Sequence, residues 1–307
     1  MKTIEREKDG TLLIPETLND LWYLYTHLEG KEIWQKTLRT KTVCSGGEVI
    51  KGGKKPCYLG IKAEKIRWDD NILRVTGIIT EGEERNKHHS IEIELNEKLK
   101  IVGELSDIPK EAKREVFVCI VDRKEAIITW LRGRNFGPLE IIKANGREEE
   151  YYKEVSSRLK RENAPYLLIA GHDTAKNKIS THFEAKPGQS TFFDQLSAAG
   201  KDGLEEIVKR AIVKQIFEKQ REDAESKIIT ETLACVKKNP EKAMYGESMQ
   251  KEAERVKEIL VLNNFVEKHE AFLKQAEKDG KKIDIIDGSK DYAVELKEFE
   301  IVGVCWY

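Results

Sequence analysis

The amino-acid sequence predicts a multidomain chain of mixed α+β and α/β type, on three observations. At 307 residues the chain exceeds one typical hydrophobic core. Its first third alternates apolar and polar residues in short runs divided by turns, the pattern of antiparallel strands. Beyond it, continuous apolar runs alternate with runs of helical period, as in layered α/β domains. The expected division is 1–112, 113–232 and 233–307.

In the first segment, Leu18, Leu21, Trp22, Tyr25 and Leu28 recur at helical spacing. Pro15 suits a first helical turn and Gly30 a helix end. The aromatic residues of this helix are expected to be core. Strands are expected at Thr11–Ile14, Glu32–Val43, Pro56–Trp68, Ile72–Ile79 and His89–Leu95. Asp69-Asp70-Asn71 reads as a tight turn, and Gly46-Gly47 with Gly52-Gly53 as the brackets of a flexible loop. One helix and about five short strands imply a small, strongly curved sheet or barrel. The polar stretch Ser106–Arg114, with Pro109, reads as a linker.

The second segment opens with strands at Glu115–Asp122, Glu125–Arg132 and Leu139–Lys143, and a helix at Arg147–Glu162. Tyr166–Ala170 is a continuous apolar run, hence a buried parallel strand. A helix near Thr174–Phe183, a strand near Gln189–Leu196 and one long helix from about Gly203 to Lys238 follow, ending at Asn239-Pro240. The last segment reads as helices at Gly246–Glu258, Glu267–Asp279 and Tyr292–Phe299, with strands at Ile259–Leu262, Ile283–Ile286 and Ile301–Trp306. A compact αβα domain is expected there.

Composition narrows the function classes. Charged residues make up 36% of the chain and its formal net charge is −1, so no global excess points to nucleic acid or membrane. No stretch approaches the ~20 apolar residues of a membrane span, and the first residues lack the apolar core of a signal peptide. Five cysteines, far apart and without a CxxC pair, argue against a disulfide scaffold or zinc site and for a reducing cytoplasm. One island departs from neutrality. Between Lys36 and Arg67 nine basic residues face only Glu48 and Glu64. Lysines and arginines on a glycine-rich hairpin can meet phosphates without reading sequence. Tyr58 or Trp68 could add base stacking.

Other motifs support less. His88-His89 would point to opposite faces of a strand, and no third ligand lies at metal-binding spacing. Asp122 and Asp173 would each follow a strand of the second segment, with Glu125 nearby, whereas a two-metal nuclease site gathers more carboxylates. They read as turn residues. Pro187-Gly188-Gln189-Ser190 echoes the Gly-Gly-Gln of peptide-releasing factors, but no Gly-Gly-Gln is present, and the echo reads as a turn. Phosphate-binding and nucleophile-elbow motifs are absent.

Glu16-Thr-Leu-Asn-Asp20-Leu-Trp-Tyr-Leu-Tyr25 followed by Thr37-Leu-Arg39 resembles the opening of the Pelota family, relatives of eukaryotic and archaeal class-1 release factors. The resemblance continues through His88-His89-Ser90-Ile91-Glu92-Ile93-Glu94, then Leu167-Leu-Ile-Ala-Gly171, Lys176 and Ser197-Ala-Ala-Gly200-Lys-Asp-Gly203-Leu-Glu-Glu-Ile207-Val-Lys-Arg210. Ala243-Met-Tyr245-Gly246, Ile259-Leu-Val-Leu262 and Glu300-Ile-Val-Gly303-Val-Cys-Trp-Tyr307 complete it. Where the family has Pro-Gly-Phe, this chain has Gly171-His172-Asp173-Thr174. The short middle segment and the lack of an acidic tail resemble archaeal members.

The resemblance implies an Sm-like β-barrel N-terminal domain, a ribonuclease-H-like central domain and an αβα C-terminal domain similar to ribosomal proteins. It implies a monomeric, cytoplasmic rescue factor that enters stalled ribosomes and meets ribosomal RNA and mRNA in the empty decoding site. Its implied partners are an elongation-factor-family GTPase and an ABC-type recycling ATPase, with no membrane and no cofactor. The expected RNA contacts are Lys36, Arg39, Lys41, Lys51, Lys54 and Lys55, and the expected partner contacts are Lys209 and Arg210. The alternative is an endoribonuclease cleaving stalled mRNA, which alone would need a divalent metal.

Overall fold

The computed structural model describes residues 1–7, 9–45, 48–82, 84–109, 114–246 and 248–305, and of 38–55 and 250 the backbone alone. The chain divides into two compact units, Met1–Ala112 with Glu225–Tyr307, and Lys113–Ala224.

The first unit begins with β1 (Lys2–Glu7) and β2 (Gly10–Ile14), then α1 (Leu18–His27). Thr17 caps α1: its hydroxyl accepts the Asp20 N–H at 3.1 Å while the Asp20 carboxylate accepts the Thr17 N–H at 3.0 Å. Leu18, Leu21, Trp22 and Tyr25 of this helix are buried, as its spacing requires, and Tyr23 and Leu24 are buried as well, so the helix is covered on more than one face. The strands β3 (Glu32–Ser45), β4 (Glu48–Asp69), β5 (Ile72–Ile79), β6 (His88–Glu94) and β7 (Leu99–Val102) complete a seven-stranded sheet ordered β1-β2-β7-β3-β4-β5-β6. Among the described residues this path is open, running from β1 to β6 without a pairing that closes it.

The second unit holds β8 (Glu115–Val121), β9 (Glu125–Arg132), β10 (Asn135–Phe136), β11 (Glu140–Lys143), α2 (Glu148–Arg161), β12 (Tyr166–Gly171), α3 (Asp173–His182), β13 (Ser190–Gln195) and α4 (Gly200–Lys209). The hairpin β8–β9 is antiparallel, and β12 runs parallel to both β8 and β13. The six-stranded sheet is ordered β10-β9-β8-β12-β13, with β11 also paired to β9. Alternate residues of β8 and β12 feed two cores. Phe117, Cys119, Leu167 and Ile169 meet Tyr151, Tyr152, Val155 and Ile179 of α2 and α3. Val118, Ile120, Leu168 and Ala170 meet Leu204, Ile207, Val213 and Ile216 on the other side. This two-sided burial is why β12 reads as a continuous apolar run.

The expected single long helix is two. After α4, Arg210 is extended (φ −75, ψ 144), and α5 (Ala211–Lys238) starts afresh. Neither glycine nor proline marks the break.

Back in the first unit come β14 (Ala243–Tyr245), α6 (Ser248–Lys251), β15 (Val256–Leu262), α7 (Glu270–Lys278), β16 (Lys282–Ile286) and β17 (Ile301–Cys305), the sheet being ordered β14-β17-β15-β16. The expected helix Gly246–Glu258 is cut short, because Val256 is buried and pairs with Cys305 as β15 begins. The expected helix before β17 is a 3-10 segment, Asp291–Glu298. One face of the sheet, through Leu260, Leu262, Ile286 and Val302, meets Ile229 and Leu233 of α5. The other, through Ile259, Val261 and Ile285, shares one core with Leu273 of α7 and with Leu21, Leu24 and Leu73 of the N-terminal segment.

Candidate nucleic-acid interface

The basic island lies on the hairpin β3–β4, whose register runs without a break in pairing from Glu32↔Lys62 to Thr40↔Lys54 and resumes from Thr42↔Lys51 to Ser45↔Glu48. The loop expected between Gly46-Gly47 and Gly52-Gly53 is therefore mostly strand. Two residues of β4, Gly52 and Gly53, stand opposite Lys41, so the second glycine pair forms a bulge within the ladder. Gly46 and Gly47 lie outside the described residues.

This register decides which charges are neighbours. Arg39 and Lys55 hold directly opposed positions, Lys54 faces Thr40, and Lys51 faces Thr42. Like charges directly across a ladder oppose pairing. Lys36 is exposed and stands opposite Tyr58. The side chains of Arg39, Lys41, Lys51, Lys54 and Lys55 lie outside the described residues, so their backbone positions carry the argument.

The two aromatic candidates separate. Trp68 is 4% exposed and its indole N–H is donated to the Asn263 carbonyl at 2.8 Å, so it belongs to the core and cannot meet a base. Tyr58 is 56% exposed and stacks on Trp34, with ring centroids 5.6 Å apart. Trp34, absent from the sequence-based candidates, was findable: it stands in the same alternation as Lys36, on the face opposite buried Ile33 and Gln35.

Lys209 and Arg210 are not on one long helix: Lys209 is the last residue of α4, and Arg210 is its extended cap. Lys209 is exposed. Arg210 Nε donates to Glu206 Oε1 at 3.1 Å, and Glu206 Oε2 also accepts the Ser197 hydroxyl at 2.8 Å and the backbone N–H groups of Ser197 and Ala198 at 3.0 Å each. The Ser197 hydroxyl and the Arg210 guanidinium hold the Glu206 carboxyl down at about 2. Arg210 thus has an internal partner.

The remaining candidates have local roles. Asp122 donates its backbone N–H to the Glu125 carbonyl at 2.9 Å, closing the β8–β9 turn, and the Tyr151 hydroxyl donates to the Asp122 carbonyl at 2.9 Å. Asp173 sits in the first turn of α3, 3.1 Å from Lys176 Nζ. His88 Nε2 lies 3.0 Å from Glu64. Gln189 donates its side-chain amide to the Ala164 carbonyl at 2.7 Å, in the turn before β13. Among the described residues no group of three or more His, Cys, Asp or Glu side chains is arranged to hold a metal ion. No described helix is long and apolar enough to cross a membrane.

Residues 1–109 match the model of the Pelota N-terminal domain. A pelota homolog of Methanocaldococcus jannaschii is 28% identical, over 97% of this chain and 96% of its own. The fold is similar to that of the crystal structure of Archaeoglobus fulgidus Pelota, with a TM-score of 0.79 at 23% identity, covering 100% of this chain and 99% of that one. It is also similar to Pelota in a model of the ribosome-bound archaeal protein with ABCE1, with a TM-score of 0.53 at 21% identity over 100% of this chain and 99% of that one.

Proposed function

We propose that this chain is a member of the Pelota family and acts as a ribosome rescue and mRNA surveillance factor. It recognises a stalled ribosome whose decoding site is empty and promotes subunit dissociation with a translational GTPase and an ABC-type ATPase. Support for the ATPase comes from the similar archaeal Pelota described together with ABCE1 on the ribosome. Such a factor acts in the cytoplasm, as a monomer and without a cofactor of its own.

The observation that carries the reading is the basic hairpin β3–β4 in a chain similar to Pelota over its length. A strand ladder lined with lysines and arginines binds phosphates through charge and is blind to sequence. That property suits a probe of an empty site, where no particular codon is to be read. The chain has no Gly-Gly-Gln, so the nascent peptide stays on its tRNA. Lys209, exposed at the end of α4, is the more available of the two partner contacts, Arg210 being engaged by Glu206. No observation favours the endoribonuclease alternative.

The test is a splitting reaction on purified stalled ribosomes with the GTPase and the ATPase. Light scattering is expected to report subunit separation dependent on this protein, with peptidyl-tRNA recovered intact. Splitting that proceeds equally without the protein, or free peptide in the products, would refute the proposal.

A further inference from the structure

The sheet face turned away from the N-terminal core carries a feature that phosphate binding does not require. Ile33, Gln35, Leu59 and Ile61 point into the core, and the alternate positions Trp34, Lys36, Tyr58 and Gly60 fall on the other face. Trp34 stands opposite Gly60, and Lys36 opposite Tyr58. The two rings are stacked, 25° from parallel, and more than half of Tyr58 is open to solvent.

A lone exposed tyrosine would mean little. Here the pair is built. A Cβ on Gly60 would fall 2.4 Å from Cε2 of Trp34, so glycine is what lets the indole lie over the neighbouring strand. The indole N–H is donated to Glu32 Oε1 at 2.7 Å, and the same oxygen accepts the Thr80 hydroxyl at 3.0 Å, which holds the ring in place. The polar edge of the indole is thereby satisfied, and the ring it supports in the stack, Tyr58, is the one open to solvent. Nearby Lys100 is held by Glu7 and Asp9 at 2.6 and 3.0 Å, whereas Lys36, opposite Tyr58, makes no ion pair among the described residues. From Lys36 the basic register positions continue up the hairpin through Arg39, Lys54 and Lys55.

We propose that Trp34 and Tyr58 form a stacking platform for an unpaired RNA base at the foot of the basic hairpin. The proposal rests on the reading of the hairpin as a phosphate-binding arm and adds a second recognition element to it. A base can stack on an aromatic ring only when its face is free, so the platform selects single strands over duplex. Stacking is indifferent to base identity, which preserves the blindness to sequence that the arm already has.

The experiment measures the affinity of the full chain for fluorescently labelled oligouridine by anisotropy across a salt series, with a labelled duplex RNA in parallel. Tyr58→Ala is expected to weaken single-strand binding about 5-fold or more at every salt concentration, with the slope of log affinity against log salt unchanged. Tyr58→Phe, which keeps the ring, is expected to bind like the parent, and duplex binding is expected to be insensitive to both. A Lys51→Ala, Lys54→Ala, Lys55→Ala variant reads the arm separately, through a shallower slope. If Tyr58→Ala binds oligouridine as tightly as the parent while the lysine variant flattens the slope, the platform is refuted and the arm stands. If Tyr58→Ala weakens binding and the lysine variant leaves the slope unchanged, the platform stands and the arm is refuted. Equal losses on single strand and duplex would also overturn the platform, because duplex ends aside, no base face is free there.

Discussion

Trp68 donates its indole N–H to the backbone carbonyl of Asn263 at 2.8 Å, across 195 residues of sequence, in a buried setting. The bond ties the end of β4 to the segment after β15. It does not stand alone. The Asn263 side-chain amide donates to Asn71 Oδ1 at 2.8 Å, and its carbonyl oxygen accepts the Gly288 N–H at 2.9 Å. Asn19 on α1 accepts the Ile285 N–H at 2.7 Å and donates to Asp284 at 3.1 Å. Around these bonds Trp22 and Tyr25 meet Trp68 edge-on, at 6.3 and 6.1 Å, and Lys274 lies 4.7 Å above the Tyr25 ring. The N-terminal and C-terminal segments are joined into one unit by this cluster and by their shared core.

Trp68→Phe keeps a ring in the cluster and removes the donor, leaving the Asn263 carbonyl unsatisfied. A loss of about 1–3 kcal/mol is expected. Denaturant unfolding followed by near-UV circular dichroism measures it, and a midpoint unchanged from the parent would show that the bond contributes nothing.

Asn263→Ala tests the same junction from the other side. Asn263 is 5% exposed, and its truncation strips a partner from both Asn71 and the Gly288 N–H. The expected cost is again about 1–3 kcal/mol. Because Asn263 and Trp68 share one network, the double variant is expected to lose less than the sum of the two.

Gly60→Ala places a methyl group against the rigid indole of Trp34. An overpacking cost of about 1–3 kcal/mol is expected, together with displacement of the ring from its stack with Tyr58. Thermal unfolding reads the first effect and oligouridine affinity the second.

The Glu206 network predicts a pH dependence. Its folded carboxyl sits at about 2 against an ordinary 4.5, so the stabilisation is complete above about 4.5 and is lost as pH falls towards 2. Glu206→Gln is therefore expected to unfold at a lower temperature than the parent at pH 7, with the gap closing across that acid window. A gap of constant size from pH 7 to pH 3 would show that the charge is not the source.

Charge on the hairpin predicts a salt effect at the ribosome. Lys51→Ala, Lys54→Ala, Lys55→Ala is expected to weaken binding to stalled ribosomes and to reduce the salt slope by about 2, at ~0.7 per single-strand phosphate contact. Co-sedimentation over a salt series gives both numbers, and parent-like binding would remove these lysines from the interface.

What could be read in advance divides along a physical line. Helix α1 was legible because its apolar spacing sits in ten consecutive residues. Likewise β12 was legible from its unbroken apolar run, and the island from charge counting. Strand β1 was not: five of its six residues are exposed, and it exists because β2 offers a ladder to pair with. Gly52-Gly53 looked like a loop because glycine lowers local strand preference, a preference that cross-strand pairing on both sides outweighs. The break at Arg210 has no local signal, since neither glycine nor proline stands there and the residue is nonetheless extended.

The family resemblance and the position of the basic island are legible from sequence, because each is written in residues adjacent along the chain. Tertiary structure alone decided which aromatic ring is buried and which is open. Trp68 and Tyr58 lie ten residues apart on the same strand. One finds a carbonyl 195 residues away and is lost to the core, while the other meets Trp34 across the ladder and faces solvent. Burial and pairing are settled by distant partners, and no window of sequence contains them.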